Sequence, residues 1–375
     1  MKATPTTAQV PAAGHMRPSL RVPAVDEILA RASRRLRLPC PVLAAIVSGV
    51  VLIPLGQFFP RSMLLIVSDR PGMGIVHDAR DFGYWLLIFG IVFYFLVAIR
   101  WMRARAARTL SEVDDLAHDL GPDRSPSGRD PFAWAADGRA PLAAAVLLAV
   151  LLAEEQLRNG PGLPGAEGLL VFAVDVAEAA LQLFVLFSFV WAYLGSVAGL
   201  AAVCRRPLRL VSHLDDPFLG TRPLGNLSVA LASAYFVGLS GMALWLYWAD
   251  IQVLYMVSIA CAFAGLGLFF LPLYAVHVQM VAEKAQESAF SAARFRALFE
   301  GSRHAAPMEA RTNDLMEALV DVHAAIGWGY VNERIAAIRT WPFSTAIIAR
   351  LATTFALPML LAVLTRVTVL TTLAR

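Results

Sequence analysis

Long apolar runs separated by short polar segments dominate the chain, and their lengths predict membrane-spanning helices. The runs cover residues 41–59, 82–101, 141–153, 169–204, 227–248, 253–274 and 343–370. Most of them approach or exceed the roughly 20 residues that cross the hydrocarbon core of a bilayer as an α-helix. Their apolar positions are continuous and do not alternate with polar ones, as the strands of a transmembrane barrel would. The pattern therefore predicts an all-α polytopic transmembrane bundle with about seven spans.

The polar segments between the runs predict the rest of the organisation. Apolar positions three and four apart on both sides of "EGSRHAAPMEARTN" indicate a helical hairpin outside the membrane. The N-terminus shows no signal peptide and is expected to be a partly disordered cytoplasmic tail. The predicted segments are the tail (1–38), a first transmembrane hairpin (39–101), a cytoplasmic segment (102–140), a four-span core (141–275), the cytoplasmic helical hairpin (276–341) and a last transmembrane helix (342–375).

Composition and charge support this class. The 375 residues are 58% hydrophobic and only 16% charged, whereas soluble domains have about 25% charged residues. Basic residues are almost all arginines, and they flank the apolar runs on the side that the positive-inside rule assigns to the cytoplasm. This distribution predicts a multi-pass protein of a bacterial inner membrane with a cytoplasmic N-terminus. It does not indicate nucleic acid as a partner.

Motifs for catalysis, cofactors or metals are not recognisable in the sequence. The three cysteines, Cys40, Cys204 and Cys261, lie at or inside predicted spans without the spacing of a disulfide framework or a zinc site. Phosphate-binding loops, nucleophile elbows and dinucleotide fingerprints are missing. Lys284 lies outside the last span, which disfavours a retinal Schiff base. We therefore expect neither an enzyme nor a bound cofactor or metal.

Three polar residues interrupt the fourth run. Asp175, Glu178 and Gln182 fall at positions i, i+3 and i+7 and share one helical face. Ionisable groups at membrane depth usually face a cavity or a partner, so the stripe could line an aqueous path or bind a cation. The alternative is that they belong to an outer extension of a helix that is about four turns longer than a bilayer requires. The basic stop "CRRPLR" fixes the inner end of this helix and favours the extension.

Other charged residues allow two interpretations each. Glu154 and Glu155 form an outer acidic vestibule or simply end a helix in water. Arg366 pairs with Glu178 or with the Glu154–Glu155 pair, or its side chain reaches outward to the headgroups. Arg350 lies about two turns from the inner end of the last run and can reach inward in the same way.

Two stretches resemble a pattern in bacterial polytopic membrane proteins of no settled activity. The stretches are "SHLDDPFLGTRPLGNL" and, two spans later, "LPLYAVHVQMVAEK", and together with the intervening chain they cover about a fifth of the sequence. The pattern has an H-P-D loop with glycines and then an L-P-L…H…K element. His213 and Asp215 match, Leu214 stands where proline is expected, and Gly220 alone remains of a glycine pair. The resemblance implies a topology and makes His213 and Asp215 candidate ligand contacts in a cytoplasmic loop.

Several functions fit these features. The first hypothesis is an oligomeric channel or pore, or a gated membrane sensor, whose cytoplasmic hairpin couples to the spans. The second is a membrane-anchored scaffold that docks a soluble cytoplasmic protein. A secondary transporter ranks lower because no inverted repeat is evident in the sequence. The expected partners are the lipid bilayer, further copies of the chain and a soluble protein.

Overall fold

The structure is a computed structural model that describes residues 23–52, 79–117, 132, 137–159, 165–208, 210, 216–248, 253–304 and 311–373. Helices dominate the described residues, which contain no β-strand and a single isolated bridge between Pro23 and Asp137. The described helices are α1 (Val25–Leu36), α2 (Cys40–Leu52), α3 (Ala79–Ala117), α4 (Arg139–Asn159), α5 (Gly165–Cys204), α6 (Arg222–Trp248), α7 (Val253–His304), α8 (Arg311–Ala337) and α9 (Thr345–Leu373). The prediction of an all-α fold is confirmed.

Four of the described helices are long and apolar enough to cross a membrane. Their apolar stretches are Leu86–Val113 in α3, Val176–Cys204 in α5, Arg222–Leu246 in α6 and Met256–Ala297 in α7. The apolar parts of α2 and α9 are shorter. A membrane-embedded helical protein is therefore supported, while the count of about seven spans stays a prediction.

The helix α7 is far longer than a bilayer is thick. Its 52 residues extend for ~78 Å at 1.5 Å per residue, against a hydrocarbon core of about 30 Å. Residues 253–282 carry no Asp, Glu, Lys or Arg, whereas Glu283, Lys284 and Glu287 begin a charged second half. The helix runs without a break through Pro272. Its apolar half is long enough to cross a membrane, and its charged half continues the same helix.

The helix α6 lies at the centre of the bundle. In its membrane-length stretch 67% of the residues are buried, against 39%, 56% and 33% in the corresponding stretches of α3, α5 and α7. It packs on all three of these helices and on α9. Leu227, Leu231 and Phe236 are almost completely shielded from solvent. The helix α6 is thus the most buried of the four membrane-length helices.

Aromatic rings fill the middle of the bundle between α3, α5 and α6. Phe95 stacks on Phe189, and Tyr193 stacks on Tyr235, both with 4.5 Å between ring centroids. The Tyr235 hydroxyl donates a hydrogen bond of 2.9 Å to the Cys261 carbonyl oxygen in α7. Tight packing and interhelical hydrogen bonds of this kind hold helices together in lipid, where the hydrophobic effect between them is lost.

Helix ends that carry arginines meet at one end of the bundle, which we call the arginine end. Arg103 of α3 forms an ion pair with Asp26 of α1, and Arg100 donates to the thiol sulfur of Cys40 at the start of α2. The basic residues that follow α5 and begin α6 lie at the same end, as the contacts described below show. This clustering is the arrangement that the positive-inside rule leads one to expect.

The close approach of α6 and α7 predicts different effects on stability for substitutions of two glycines of α7. A Cβ atom on Gly265 would overlap the ring of Tyr235 and lie 3.2 Å from Phe236, whereas a Cβ on Gly267 would have no neighbour within 4 Å. Because Tyr235 is stacked on Tyr193, its ring has little room to move. We expect Gly265→Ala to lower the free energy of unfolding by about 1–3 kcal/mol.

The measurement is unfolding of the full chain in detergent, with Gly267→Ala as the control on the same helix. Gly267→Ala should leave stability unchanged or slightly increased, since it adds helix propensity without a clash. Equal stabilities of the two variants would contradict the packing of α6 against α7.

Candidate functional site

Part of the acidic stripe of α5, formed by Asp175, Glu178 and Gln182, lies among the described residues. Glu178 is half-buried, and its Oε1 accepts a 2.9 Å hydrogen bond from Gln182 Nε2. Asp175 lies in α5, but its side chain is outside the described part. On an upright helix Glu178 lies ~39 Å from Cys204 at 1.5 Å per residue, which exceeds a hydrocarbon core of about 30 Å. This distance fits the outer-extension hypothesis better than a stripe in the middle of the bilayer.

Towards the arginine end, the same face of α5 is closed by the core. Phe189 and Tyr193, which continue the face, are 2% and 1% exposed within the aromatic stacks. Ser196 is 1% exposed and donates its hydroxyl hydrogen to the Ala192 carbonyl of its own helix. In the described residues this face therefore does not continue as an aqueous path through one copy. A role for Asp175, Glu178 and Gln182 at the far end stays a prediction.

The remaining predicted residues are only partly described. Glu154 is exposed and forms an ion pair with Arg158 one turn later, as an acid at a water-facing helix end does. The side chains of Glu155 and Arg366 lie outside the described part, although their helices α4 and α9 are described. His213 and Asp215 are outside the described residues altogether. The proposed pairing of Arg366 and the ligand role of His213 and Asp215 stay predictions.

The structure also brings together a set of polar contacts at the arginine end, of which the sequence singled out only His277 and Lys284, as the H and K of the L-P-L…H…K element. The contacts join residues 204–208 after α5, the turn and helix start at 216–225, residues 276–284 of α7 and the connection at 335–343. We call this set of residues the junction. Three polar side chains of α7 provide most of its bonds.

Gln279 satisfies the end of α5. Its side-chain Nε2 donates to the carbonyl oxygens of Cys204 and Arg206 at 3.0 and 3.1 Å, and its Oε1 accepts from the Leu208 backbone N–H at 3.2 Å. The last carbonyl groups of a helix have no partner inside the helix. One amide side chain therefore replaces the water that would otherwise solvate this end.

Lys284 does the same for the end of α8. Its Nζ donates to the carbonyl oxygens of Ala336 and Ile338, both at 2.9 Å. A positive charge at a helix C-terminus also interacts favourably with the helix dipole. This contact joins α7 to the point where the chain leaves α8 for α9.

His277 lies two turns before Lys284 on the same side of α7. Its Nδ1 is 2.7 Å from the Thr340 carbonyl oxygen, and because a carbonyl only accepts, Nδ1 carries the hydrogen. The imidazole stacks on Trp341 with ring centroids 4.2 Å apart, and Trp341 in turn stacks on Phe343. The connection between α8 and α9 is thereby fixed on the surface of α7.

A capped turn precedes α6. The two carboxylate oxygens of Asp216 accept hydrogen bonds from the backbone N–H groups of Phe218 and Gly220, at 3.0 and 2.9 Å. Leu219 and Gly220 have positive φ values of 54° and 79°, a conformation that glycine adopts without strain and leucine does not. The Asp216 bonds stabilise this turn. The sequence signal for it is the order Asp-Pro-x-x-Gly, in which aspartate and proline begin a tight turn.

Phe218 connects this turn to the chain after α8. The guanidinium carbons of Arg222 and Arg339 lie 5.8 and 5.4 Å from its ring centroid, within the range of a cation–π interaction. The Arg339 backbone N–H also donates to the Pro217 carbonyl oxygen at 3.1 Å. Two of the arginines at this end thus have a packing role.

The start of α6 also touches the α8–α9 connection directly. A Cβ atom on Gly225 would overlap the carbonyl oxygen of Pro342, so only glycine permits this approach. On the other side, the Thr221 hydroxyl lies 3.4 Å from the Met280 sulfur. The helices α6, α7 and α9 and the end of α8 therefore meet within a few residues.

The chemistry of the junction is that of a structural connector. The described hydrogen bonds of His277, Gln279 and Lys284 all go to backbone groups. Among the described residues no group of three or more His, Cys, Asp and Glu side chains is placed to hold a metal ion. The arrangement joins the end of α5, the end of α8 and the α8–α9 connection to α7.

We expect replacement of Asp216 to test the turn. Asp216→Ala leaves two backbone N–H groups without their acceptor and should lower the free energy of unfolding by about 1–2 kcal/mol. Asp216→Asn keeps one side-chain oxygen and should retain most of the stability. Unfolding of the full chain in detergent compares the two variants, and an unchanged stability of Asp216→Ala would show that the carboxylate bonds do not stabilise the turn.

The junction also joins the two stretches on which the resemblance to bacterial polytopic proteins rests, through Thr221 and Met280. No protein-family model, curated protein or solved structure matches this chain. The resemblance therefore stays a prediction about topology.

Proposed function

We propose that this protein is an oligomeric gated sensor of a bacterial inner membrane, in which a helical hairpin moves together with the membrane bundle. The hairpin consists of the charged half of α7 and of α8. The observation that carries the proposal is the pair of hydrogen bonds from Lys284 Nζ to the carbonyl oxygens of Ala336 and Ile338. These bonds fix the exit of the hairpin at the place where the chain enters α9.

The geometry between hairpin and bundle supports mechanical coupling. Phe295 of α7 stacks on Trp328 of α8 with ring centroids 4.4 Å apart, and Lys284 contacts residues later in α8, so the two helices run antiparallel. No flexible linker separates the charged half of α7 from its apolar half, because α7 is one continuous helix. On the other side, residues 338–344 connect α8 to α9 and include the buried Ile338 and Phe343. A displacement of the hairpin therefore reaches two helices of the bundle.

A sensor fits the interior better than a pore enclosed by one copy. The stacked rings of Phe95, Phe189, Tyr193 and Tyr235 occupy the space between α3, α5 and α6. A conducting path would then have to form between copies of the chain. A channel is therefore compatible with this proposal only as a property of the oligomer. We further propose, from the positive-inside rule, that the arginine end and the hairpin face the cytoplasm.

The test of coupling is Lys284→Met in the full chain, followed by hydrogen–deuterium exchange in detergent micelles. Removing the two charge-assisted bonds should raise exchange about tenfold in residues 336–344. If hairpin and bundle are coupled, exchange should also rise in the first turns of α9, at residues 345–350. Ion flux through liposomes containing either protein distinguishes a pore between copies from a sensor without conductance.

Two matched variants complete the experiment. Lys284→Arg retains cationic donors and should preserve most of the protection, whereas Gln286→Met changes an exposed neighbour on α7 and should have no effect. A rise in exchange that is confined to α8 and leaves α9 unchanged would show that the hairpin is a passive appendage, contrary to the proposal.

A second candidate function, docking of a soluble protein, is favoured by one surface of α8. Leu319, Val322, Ile326 and Tyr330 are spaced three and four residues apart and are 54–66% exposed. They lie on the side of α8 opposite to Ile335, which is buried at the junction. An exposed apolar stripe on a helix is a common mode of groove recognition.

Substitution of this stripe tests the docking function. Val322→Glu with Ile326→Glu should abolish binding of a soluble partner that copurifies with the full chain at fixed stoichiometry. The control is Asn332→Glu, which adds a charge at an exposed position of the same helix. If the double variant instead reduces the mass of the detergent-solubilised particle from several copies to one, the stripe is an interface between copies and does not dock a soluble protein.

A further inference from the structure

A cleft with a strongly positive lining opens between α3, α6 and α9, away from the junction contacts. It has a volume of about 240 Å³. Arg105 and Arg108 of α3 and Arg350 of α9 line it, together with Trp101 and Asn226. The lining residues that the structure describes include no aspartate or glutamate. Three guanidinium groups thus surround one cavity without an acidic residue among its walls.

The placement of the three arginines follows from helix geometry. Trp101, Arg105 and Arg108 fall on one face of α3 at positions i, i+4 and i+7. Asn226 faces them from the first turns of α6, and Arg350 from the second turn of α9. Arg108 and Arg350 are exposed and Arg105 is half-buried, so a ligand can reach these side chains from solvent. They differ from Arg222 and Arg339, which pack on Phe218.

The chemistry of this lining selects a phosphate group. A guanidinium presents a planar set of donors that matches phosphate oxygens in a bidentate manner. Asn226 adds an amide that can donate to a further oxygen. A phosphate group also compensates part of the positive charge of the three side chains, which a neutral ligand cannot do.

The surroundings of the cleft favour a lipid as the source of the phosphate. Trp101 at its rim is 44% exposed, as tryptophans at the membrane–water interface are. Two turns beyond the cleft, on the same faces of α6 and α9, Val237 and Leu357 are 40% and 43% exposed. These apolar side chains continue from the cleft in the direction that acyl chains would take. Basic pockets between transmembrane helices on the cytoplasmic side bind anionic headgroups in this manner.

We propose that this arginine cleft binds the phosphate headgroup of an anionic membrane lipid. Arg105, Arg108 and Arg350 are the residues that bind the phosphate. The headgroup would bridge α3, α6 and α9 at the level of Trp101. Its acyl chains would lie along the exposed apolar surfaces of α6 and α9. The site is separate from the hydrogen bonds of the junction, so lipid binding does not require the coupling function.

The experiment measures lipid binding to the full chain by native mass spectrometry in micelles that contain phosphatidylglycerol or phosphatidylcholine. Phosphatidylglycerol should bind at least about tenfold more tightly, since each cation near an anionic headgroup contributes substantially. The triple variant Arg105→Gln, Arg108→Gln, Arg350→Gln should lose this preference. Arg350→Lys should retain part of it, because lysine keeps the charge and loses the bidentate geometry.

A charge-matched control separates the cleft from general attraction to basic surfaces. Arg35, Arg37 and Arg205 are exposed arginines of the arginine end that do not line the cleft, and their replacement by glutamine should leave the preference within about twofold. An equal loss in this control would overturn the assignment to the cleft. If the triple variant does not fold, Arg108→Gln and Arg350→Gln singly, both at exposed positions, should each weaken binding about fivefold; unchanged binding in both would overturn the proposal.

A second arm identifies the source of the phosphate. The unfolding temperature of the wild-type chain is measured with inorganic phosphate alone and with phosphatidylglycerol. The lipid should raise the unfolding temperature and inorganic phosphate should not, because a lipid also gains the contacts of its acyl chains. A stabilisation by inorganic phosphate that equals that of the lipid, and that disappears in the triple variant, would show a site for a soluble anion and overturn the lipid assignment.

Discussion

Backbone groups at the ends of helices impose the constraint on which the arginine end is built. Each helix leaves carbonyl groups without a partner at its C-terminus. Close to a membrane, less water is available to hydrogen-bond these carbonyl groups. Here Gln279 and Lys284 of a single continuous helix donate to the ends of α5 and α8. His277 binds the Thr340 carbonyl oxygen in the connection between α8 and α9. Because all three side chains belong to α7, the positions of two other helix ends follow from the position of this one helix.

This constraint explains why the neighbouring chain is so closely packed. The connection after α8 runs over the start of α6, where Gly225 permits contact with the Pro342 carbonyl oxygen. Arg339 then holds the capped turn before α6 through its backbone N–H and through Phe218. The turn therefore depends on α8, the end of α8 depends on Lys284, and α9 begins only six residues after Arg339. Movement at one of these places without movement at the others would break several hydrogen bonds at once.

The apolar runs of the sequence were sufficient to predict the class of fold and the approximate helices, because hydrocarbon requires long uninterrupted apolar segments. They were not sufficient to count the spans, since lengths such as those of α2 and α9 are compatible with several depths in a bilayer. The junction was beyond sequence reasoning for a different reason. The resemblance included Lys284 in its L-P-L…H…K element but implied no partner for it, and the acceptors of Gln279 and Lys284 are backbone carbonyl groups, which every residue possesses. Only Asp216, followed by Pro217 and Gly220, carried a local signal, and the prediction singled out Asp215 instead.

Arginines illustrate the same limit in another form. Along the sequence, Arg222, Arg339 and Arg350 all mark the inner ends of apolar runs, and the positive-inside rule treats them alike. In three dimensions two of them lie over the ring of Phe218, while Arg350 joins Arg105 and Arg108 around a cleft. The distinction depends on which helices are neighbours, and a single sequence gives no information about that.

The cleft and the junction share two helices, and this has a thermodynamic consequence. A headgroup in the cleft would contact α6 and α9, whose starts also pack at the junction around Gly225 and Phe343. If the hairpin has two positions and the cleft differs between them, lipid affinity and hairpin position are linked. Linkage is reciprocal, so the factor by which the hairpin changes lipid affinity equals the factor by which the lipid changes the hairpin equilibrium. The lipid composition of the membrane then affects the equilibrium between the two hairpin positions, to which the Lys284 bonds also contribute. The size of this effect is limited by the difference in lipid affinity between the two hairpin positions.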